Sequence, residues 1–184
     1  MAEPHTERAR RRGFETVGDM LRSLAVVMLA VLVIVVLSRH PHTPSVTVVD
    51  PTQARVAARA VGAFTPEEPV GLGAGWRLTS ARFAEDGSIA APVWHLGWVT
   101  PAGGYAALDQ SDGPSAAFVA TLLTEPVRAG NGSGPFAGWQ RWTGQEKGWR
   151  AYVRGAGSTT LVVYGSASDV ELAHLVGKLQ PALG

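Results

Sequence analysis

One run of apolar residues near the N-terminus constrains this chain more than any other feature. It extends from Leu24 to Leu37 and contains no charge, proline or glycine. A helix needs about 20 residues, at about 1.5 Å each, to cross roughly 30 Å of hydrocarbon. Flanking residues lengthen the run to 20–38, and the long side chains of Arg22 and Arg39 can reach the two interfaces. The sequence therefore predicts a single transmembrane helix over 20–38, in contact with the lipid bilayer.

The charges on either side of this segment predict its orientation. Four arginines lie within residues 8–12, whereas Arg39 stands alone close to the other end. Because basic flanks stay in the cytoplasm, residues 1–19 are predicted to be a basic cytoplasmic tail. A cleaved signal peptide is the alternative. It is disfavoured because Ser38-Arg-His-Pro41 lacks the small residues of a cleavage site, and the chain has no cysteine for a lipid anchor.

The rest of the chain reads as a linker and one domain outside the cytoplasmic membrane. Residues 39–45 contain two prolines and predict a short, stiff linker. Residues 46–184 are enough for a core without disulfides. This region carries ten basic and eleven acidic side chains, a net charge of −1. Such a balance gives no electrostatic basis for binding nucleic acid.

Hydrophobic periodicity and capping residues predict an α+β fold for this domain. Helices are expected from Asp50-Pro51, from Gly113-Pro114, and from the capping box Ser168–Glu171 to Leu179. Val46–Val49 reads as a short strand or extended lead-in, and Glu125–Gly138 as a mobile loop. Further strands are expected over residues 76–83, 93–100, 105–110, 139–143, 149–154 and 159–164.

The order of these segments predicts how they are arranged. Pro101–Gly104 is expected to turn a hairpin between the second and third of the listed strands, and Leu161–Tyr164, apolar on both faces, to be central. The whole predicts an antiparallel sheet of about six strands with helices packed on one face. Because three strands and a helix occur twice in succession, duplication of a βββα unit is a further hypothesis.

A set of short motifs gives the chain a family resemblance. They are the arginine tail and apolar segment, Gly73-x-Gly75-Trp76, Trp94-His-Leu-Gly-Trp-Val-Thr-Pro101 with Tyr105, Leu108-x-Gln-Ser-Asp112, Gly138-Trp139 and Leu161-Val-Val-x-Gly165. Together they resemble the actinobacterial family of unknown function DUF4245, over nearly the whole chain. The resemblance implies a small membrane-anchored protein, and it implies no activity and no functional residues.

The aromatic residues of the predicted strands supply one candidate binding surface. Trp94 and Trp98 are four residues apart, so both side chains lie on one face of their strand, and Tyr105 is expected to meet Trp98 across the hairpin. With His95, these residues are the candidate ligand-binding set, since exposed aromatics on a sheet can hold a ligand or glycan. The favoured alternative is that the tryptophans fill the core of a domain that lacks disulfides.

Catalytic and metal chemistry has weaker support in the sequence. His95 and His174 are the only histidines within residues 46–184, at no spacing typical of metal ligands, so neither a metal nor a cofactor is predicted. Ser111 and Asp112 near His95 outline a serine–histidine arrangement, although their expected role is to cap the next helix. The sequence thus favours a non-enzymatic binding or accessory module of the cell envelope, with a membrane-protein or envelope partner. The alternative is an envelope hydrolase with a cleft around His95, Ser111 and Asp112.

Overall fold

The computed structural model describes residues 20–32, 48–144 and 148–182. The chain divides into two compact units, Met1–Pro44 and Ser45–Gly184. In the first unit, residues 20–32 form helix α1, and all of them are exposed. Residues 33–38 of the predicted transmembrane helix lie outside the described residues. Within the described part of the chain, no helix combines the length and the apolar composition needed to cross a bilayer.

The second unit is an α+β domain built on an antiparallel sheet of seven strands. Its helices are α2 (Thr52–Val61), α3 (Ser115–Leu122) and α4 (Asp169–Val176), with a 3₁₀ turn at Gly134–Phe136. Its strands are β1 (Glu67–Pro69), β2 (Arg77–Asp86), β3 (Ala91–Val99), β4 (Tyr105–Ser111), β5 (Val127–Asn131), β6 (Gln140–Thr143), β7 (Arg150–Ala156), β8 (Thr159–Gly165) and β9 (Leu179–Pro181).

The seven strands lie in the order β2-β3-β4-β8-β7-β6-β5, and β1 pairs with β9 in a separate two-stranded sheet. The predicted hairpin is β3–β4, joined through the turn at 101–103. Strand β8 is central and buried at every position, as its unbroken apolar run predicted. Two features therefore follow directly from sequence patterns, namely the hairpin and the centre of the sheet.

Both faces of the large sheet carry a core. The tryptophan face, which carries Trp94, Leu96, Trp98, Leu108 and Val163, packs against α2 and α4. The opposite face, here called the histidine face because His95 alternates with Val93 on it, packs Val93, Ala107 and Val162 against Phe118 and Val119 of α3.

The predicted α+β fold with an antiparallel sheet is confirmed, with seven strands instead of about six, whereas the expectation of helices on one face was wrong. The helices cover both faces because the central strands are apolar on both sides, so each side must be shielded from water. The seventh strand is β5, within the segment Glu125–Gly138 that was predicted to be a loop. All five residues of β5 are exposed, so it lacks the apolar alternation that reveals a half-buried strand.

The helix ends agree with the sequence at some points and depart from it at others. Asp50 accepts hydrogen bonds from the backbone N–H and the hydroxyl of Thr52 at the start of α2, and Ser168 with Glu171 forms the predicted capping box of α4. Helix α4 ends at Val176, however, and Leu179 belongs to β9 rather than to the helix.

The strand order bears on the duplication hypothesis. Two groups of three consecutive strands, β2-β3-β4 and β6-β7-β8, meet through the antiparallel pair β4–β8. Because β4 and β8 run antiparallel, a two-fold axis that exchanges the two groups must stand perpendicular to the sheet. Rotation about such an axis leaves each face of the sheet on its own side, so it would place the two following helices on the same face. Helices α3 and α4 lie on opposite faces. The strands fit a duplicated unit and the helices do not, so duplication stays a hypothesis.

Candidate functional site

A row of polar side chains crosses three neighbouring strands on the histidine face. In the register of the sheet, Arg82 of β2 lies opposite His95 of β3, and His95 lies opposite Asp109 of β4. His95 and Asp109 are almost completely buried, whereas Arg82 is exposed. Buried polar groups of this kind are costly unless they are hydrogen-bonded, so their partners define the site.

His95 is held between a carboxylate and a hydroxyl. Its Nδ1 lies 2.9 Å and 3.0 Å from the two carboxylate oxygens of Asp109, and its Nε2 lies 2.8 Å from Ser80 Oγ. A carboxylate only accepts, so Nδ1 carries the hydrogen and donates it to Asp109. In the neutral ring, Nε2 then accepts the hydrogen of the Ser80 hydroxyl. This is the hydrogen-bond pattern of a serine–histidine–aspartate triad.

A β-bulge and a glycine place Ser80 within reach of His95. The pairing of β2 with β3 shifts at Thr79, whose hydroxyl donates to the Gly97 carbonyl at 3.1 Å, so that Ser80 lies opposite Gly97. A Cβ atom on Gly97 would lie 2.5 Å from Ser80 Oγ and 3.3 Å from His95 Nε2. The absence of a side chain at Gly97 therefore leaves open the space across which His95 Nε2 contacts Ser80 Oγ.

Two tyrosines complete the cluster. The Tyr105 hydroxyl lies beside Ser80, since a Cβ on Gly97 would lie 2.7 Å from Tyr105 Oη and 2.5 Å from Ser80 Oγ, and Tyr164 lies close enough to Asp109 for its charge to act on the phenol. Burial, and after it the negative charge of Asp109, raises the pKa of Tyr105 and strongly raises that of Tyr164. Both phenols therefore keep their hydrogens at neutral pH and can donate. The ring of Trp149 lies 5.9 Å from each tyrosine ring and shields this end of the cluster.

A cleft begins beside the cluster. It has a volume of about 370 Å³ and reaches from Arg82 and Asp109 toward Phe118 and Leu122 of α3. Its walls combine the guanidinium of Arg82, the carboxylates of Glu85, Asp86 and Asp109, and the apolar side chains of Val93, Phe118 and Leu122. This mainly polar lining suits a small polar ligand. The cluster of Ser80, His95, Tyr105, Asp109 and Tyr164, together with this cleft, is the candidate site.

The structure separates the four residues of the predicted binding set. Trp94 and Trp98 are 0% and 5% exposed and belong to the core of the tryptophan face, where Trp94 Nε1 donates to the Glu67 carbonyl at 2.9 Å. His95 and Tyr105 meet on the opposite face beside Ser80. Tyr105 pairs with Val99 rather than with Trp98, so the expected contact between Trp98 and Tyr105 does not form. The favoured interpretation of these tryptophans as core residues agrees with their burial.

The predicted serine and aspartate partners of His95 are also replaced. Ser111 is buried two residues beyond Asp109, and its hydroxyl accepts from the backbone N–H of Gly113 at 3.1 Å. Asp112 is exposed. Neither residue caps α3, whose N-cap position is Pro114 and has no side-chain cap. His95 instead bonds Ser80 and Asp109, so the polar group around His95 consists of Ser80 and Asp109 rather than of Ser111 and Asp112.

Sequence reasoning missed Asp109 and Ser80, although the hairpin left an approximate signal for the first. Counting back along both strands from a turn over 101–104 sets Thr100 opposite Tyr105 and His95 opposite Gln110, one residue from Asp109. In the structure the turn spans only 101–103, so that Thr100 faces Gly104 and His95 faces Asp109. No comparable count finds Ser80, because the bulge at Thr79 shifts the pairing of the strands.

Comparison with known proteins places the chain in a family without supplying an activity. No curated protein and no solved structure matches the chain. The family model DUF4245, described as a protein of unknown function, matches residues 12–179, which include α1 and the candidate site. The chain therefore belongs to the DUF4245 family.

Proposed function

We propose that this chain is a single-pass protein of the cytoplasmic membrane whose outer domain is a binding or accessory module of the cell envelope. The observation that carries the proposal is the apolar run from Leu24 to Leu37, with arginines concentrated on its N-terminal side. The part of α1 from Leu24 to Leu32 supports it, because these residues are exposed and apolar on every side, and such a surface favours apolar surroundings.

Protease protection on spheroplasts that express the full chain with a tag at each end tests this topology. We expect added protease to remove the C-terminal tag, to spare the N-terminal tag, and to leave a fragment that alkaline carbonate does not extract. Replacing Val31 and Val35 by arginine is the matched perturbation and should release the chain from the membrane fraction, because central charges oppose insertion. Extraction of the wild-type chain by carbonate would contradict the proposal.

The predicted linker limits where a partner can be. Residues 39–45 span at most about 25 Å when fully extended, at ~3.5 Å per residue. The outer domain would then work close to the bilayer, which favours a membrane-protein or envelope partner. Quantitative proteomics on detergent-solubilised membranes should find the same partner when 1–38 is replaced by an unrelated anchor, and lose it when a long flexible linker replaces 39–45. A partner that is indifferent to linker length would argue against this placement.

One observation favours a second candidate function, an envelope hydrolase. It is the arrangement of Ser80, His95 and Asp109, with 2.8 Å and 2.9 Å between successive partners. The test is hydrolysis of p-nitrophenyl acetate by the full chain in detergent micelles. Activity that disappears in Ser80→Ala but persists in Ser111→Ala supports this candidate, and activity equal to the uncatalysed rate in the wild-type chain excludes it for simple esters.

A further inference from the structure

We propose that Ser80 is a nucleophile that accepts an acyl group from a carboxylic ester, with His95 as its base, Asp109 as the residue that positions His95, and Tyr105 as the donor to the oxyanion. This inference rests on the hydrolase candidate and gives it a residue, a mechanism and a substrate class. Four features of the described residues carry it, namely the base contact, the positioning contact, the exposure of Ser80 and the location of a second donor.

The contact between Ser80 and His95 satisfies the first requirement of nucleophilic catalysis. A serine hydroxyl is a weak nucleophile and needs a base within about 2.6–3.2 Å, and Nε2 lies 2.8 Å from Oγ. Asp109 fixes the orientation of the ring, because its two oxygens accept from Nδ1 and the carboxylate is fully buried. The fixed ring leaves Nε2 directed at Ser80.

Ser80 is also accessible, unlike its two partners. Strand β2 is an edge strand of the sheet, and Ser80 is partly exposed on it, while His95 is 3% exposed. A cluster with only a structural role has no need of an open hydroxyl at one end. Ser80 does not line the cleft of about 370 Å³, but the cleft begins at Arg82, the next residue on the same face of β2, so the rest of an ester could lie in it.

Tyr105 supplies a donor where negative charge would develop. Its hydroxyl lines the same gap above Gly97 as Ser80, because a Cβ on Gly97 would lie 2.7 Å from Tyr105 Oη and 2.5 Å from Ser80 Oγ. Tyrosine hydroxyls are among the side chains that stabilise oxyanions. Because the pKa of Tyr105 is raised by burial, this hydroxyl remains a donor at neutral pH.

The reaction balances with water as the second substrate. Ser80 Oγ bonds to the ester carbonyl carbon while its hydrogen moves to His95 Nε2, and the carbonyl electron pair moves to the oxygen that Tyr105 faces. Return of that pair breaks the bond to the alkoxy group, which leaves as the alcohol with the hydrogen from His95. Water then attacks the acyl-serine by the same route, which releases the carboxylic acid and restores Ser80.

A fluorophosphonate probe tests the nucleophile without requiring turnover. Attack by Ser80 Oγ on phosphorus expels fluoride, and the full chain in detergent micelles should gain one adduct that peptide mapping assigns to Ser80. Ser80→Ala should not react, Ser111→Ala should react like the wild type, and Asp109→Asn should react at least about 100-fold more slowly, since general-base assistance contributes about 10²–10⁴-fold. Circular dichroism checks that each variant is folded.

A cysteine variant gives an independent measurement. The chain has no cysteine, so Ser80→Cys introduces a single thiol, and Ser158→Cys, in the exposed turn between β7 and β8, is the matched control. A thiol beside a base reacts faster because its thiolate form is favoured. We expect iodoacetamide to alkylate Ser80→Cys at least about tenfold faster than Ser158→Cys, and this excess to disappear when His95→Gln is added.

These measurements separate failure of the nucleophile from failure of the hydrolase function. Labelling of Ser80 without hydrolysis of p-nitrophenyl acetate would retain the nucleophile and reject that hydrolase activity. Labelling of a different serine, or a folded wild-type chain that the probe leaves unmodified, would overturn the inference. So would a Ser80→Cys thiol that is alkylated more slowly than the Ser158→Cys control.

Discussion

Replacing Gly97 by alanine should disrupt the cluster by overpacking. The new Cβ would lie 2.5 Å from Ser80 Oγ, 2.7 Å from Tyr105 Oη and 3.3 Å from His95 Nε2. Overpacking of a buried site costs about 1–3 kcal/mol, and each hydrogen bond that the displaced groups lose costs about 1 kcal/mol more. We therefore expect a loss of roughly 2–4 kcal/mol, which lowers the Tm by roughly 6–16 °C for a domain of this size.

Thermal unfolding followed by tryptophan fluorescence measures this loss. All six tryptophans lie between residues 76 and 149, so the signal reports on the α+β domain alone. The matched control is Gly155→Ala in β7, where a Cβ would meet no atom within 4 Å and the backbone is not left-handed. The control should be neutral or stabilising by up to about 1 kcal/mol. A Gly97→Ala protein within about 0.5 kcal/mol of the wild type would refute the packing around Gly97.

Three further perturbations test the core, a helix cap and the tyrosines. Trp94→Ala should destabilise the domain by about 3–5 kcal/mol, because the side chain is fully buried. A much smaller decrease in the free energy of unfolding, measured in urea, would contradict this burial. Ser168→Ala should cost about 1 kcal/mol in the same assay, since it removes the cap of α4. The folded pKa of every tyrosine lies above the unfolded value near 10, and burial, followed by the hydrogen bond to Asp169, raises the pKa of Tyr152 to about 12. The folded state therefore binds the tyrosine hydrogens more tightly than the unfolded state does. The resulting stabilisation is complete below about pH 10 and is lost as the pH rises through the pKa values of the folded state. Ultraviolet titration should show that at most one of the three tyrosines is ionised in folded protein at pH 10; ionisation of two or more there without unfolding would contradict the burial of Tyr152 and Tyr164.

The features predictable from the sequence are those that a local pattern determines. The Ser168–Glu171 capping box needs only four consecutive residues, and the β3–β4 hairpin needs only a turn between two apolar strands. Strand β8 could be placed at the centre of the sheet because its run Leu161–Tyr164 is apolar on both faces. The same observation implied that both faces of the sheet are covered, a consequence that the expectation of helices on one face overlooked.

The features that escaped prediction depend on distant contacts. Strand β5 is exposed along its whole length and exists because β6 supplies hydrogen bonds, not because of its own composition. Strands β1 and β9 pair across more than 100 residues. The site shows both cases, since hairpin register determines the pairing of His95 with Asp109, whereas the position of Ser80 depends on a bulge that no local residue pattern specifies.

The polar cluster is not what stability alone would require inside a sheet. On the opposite face, the same strands β3 and β4 pack mainly apolar side chains around Leu96 and Leu108, with Gln110 as a buried polar residue. Replacing buried charged pairs by apolar residues of similar size is often neutral or stabilising by about 1–4 kcal/mol. A triple variant with leucine at His95 and Asp109 and alanine at Ser80 should therefore fold at least as stably as the wild type. A variant that folds in this way would show that the fold does not require the cluster, as expected of residues retained for chemistry, whereas a variant that cannot fold would assign the cluster to structure.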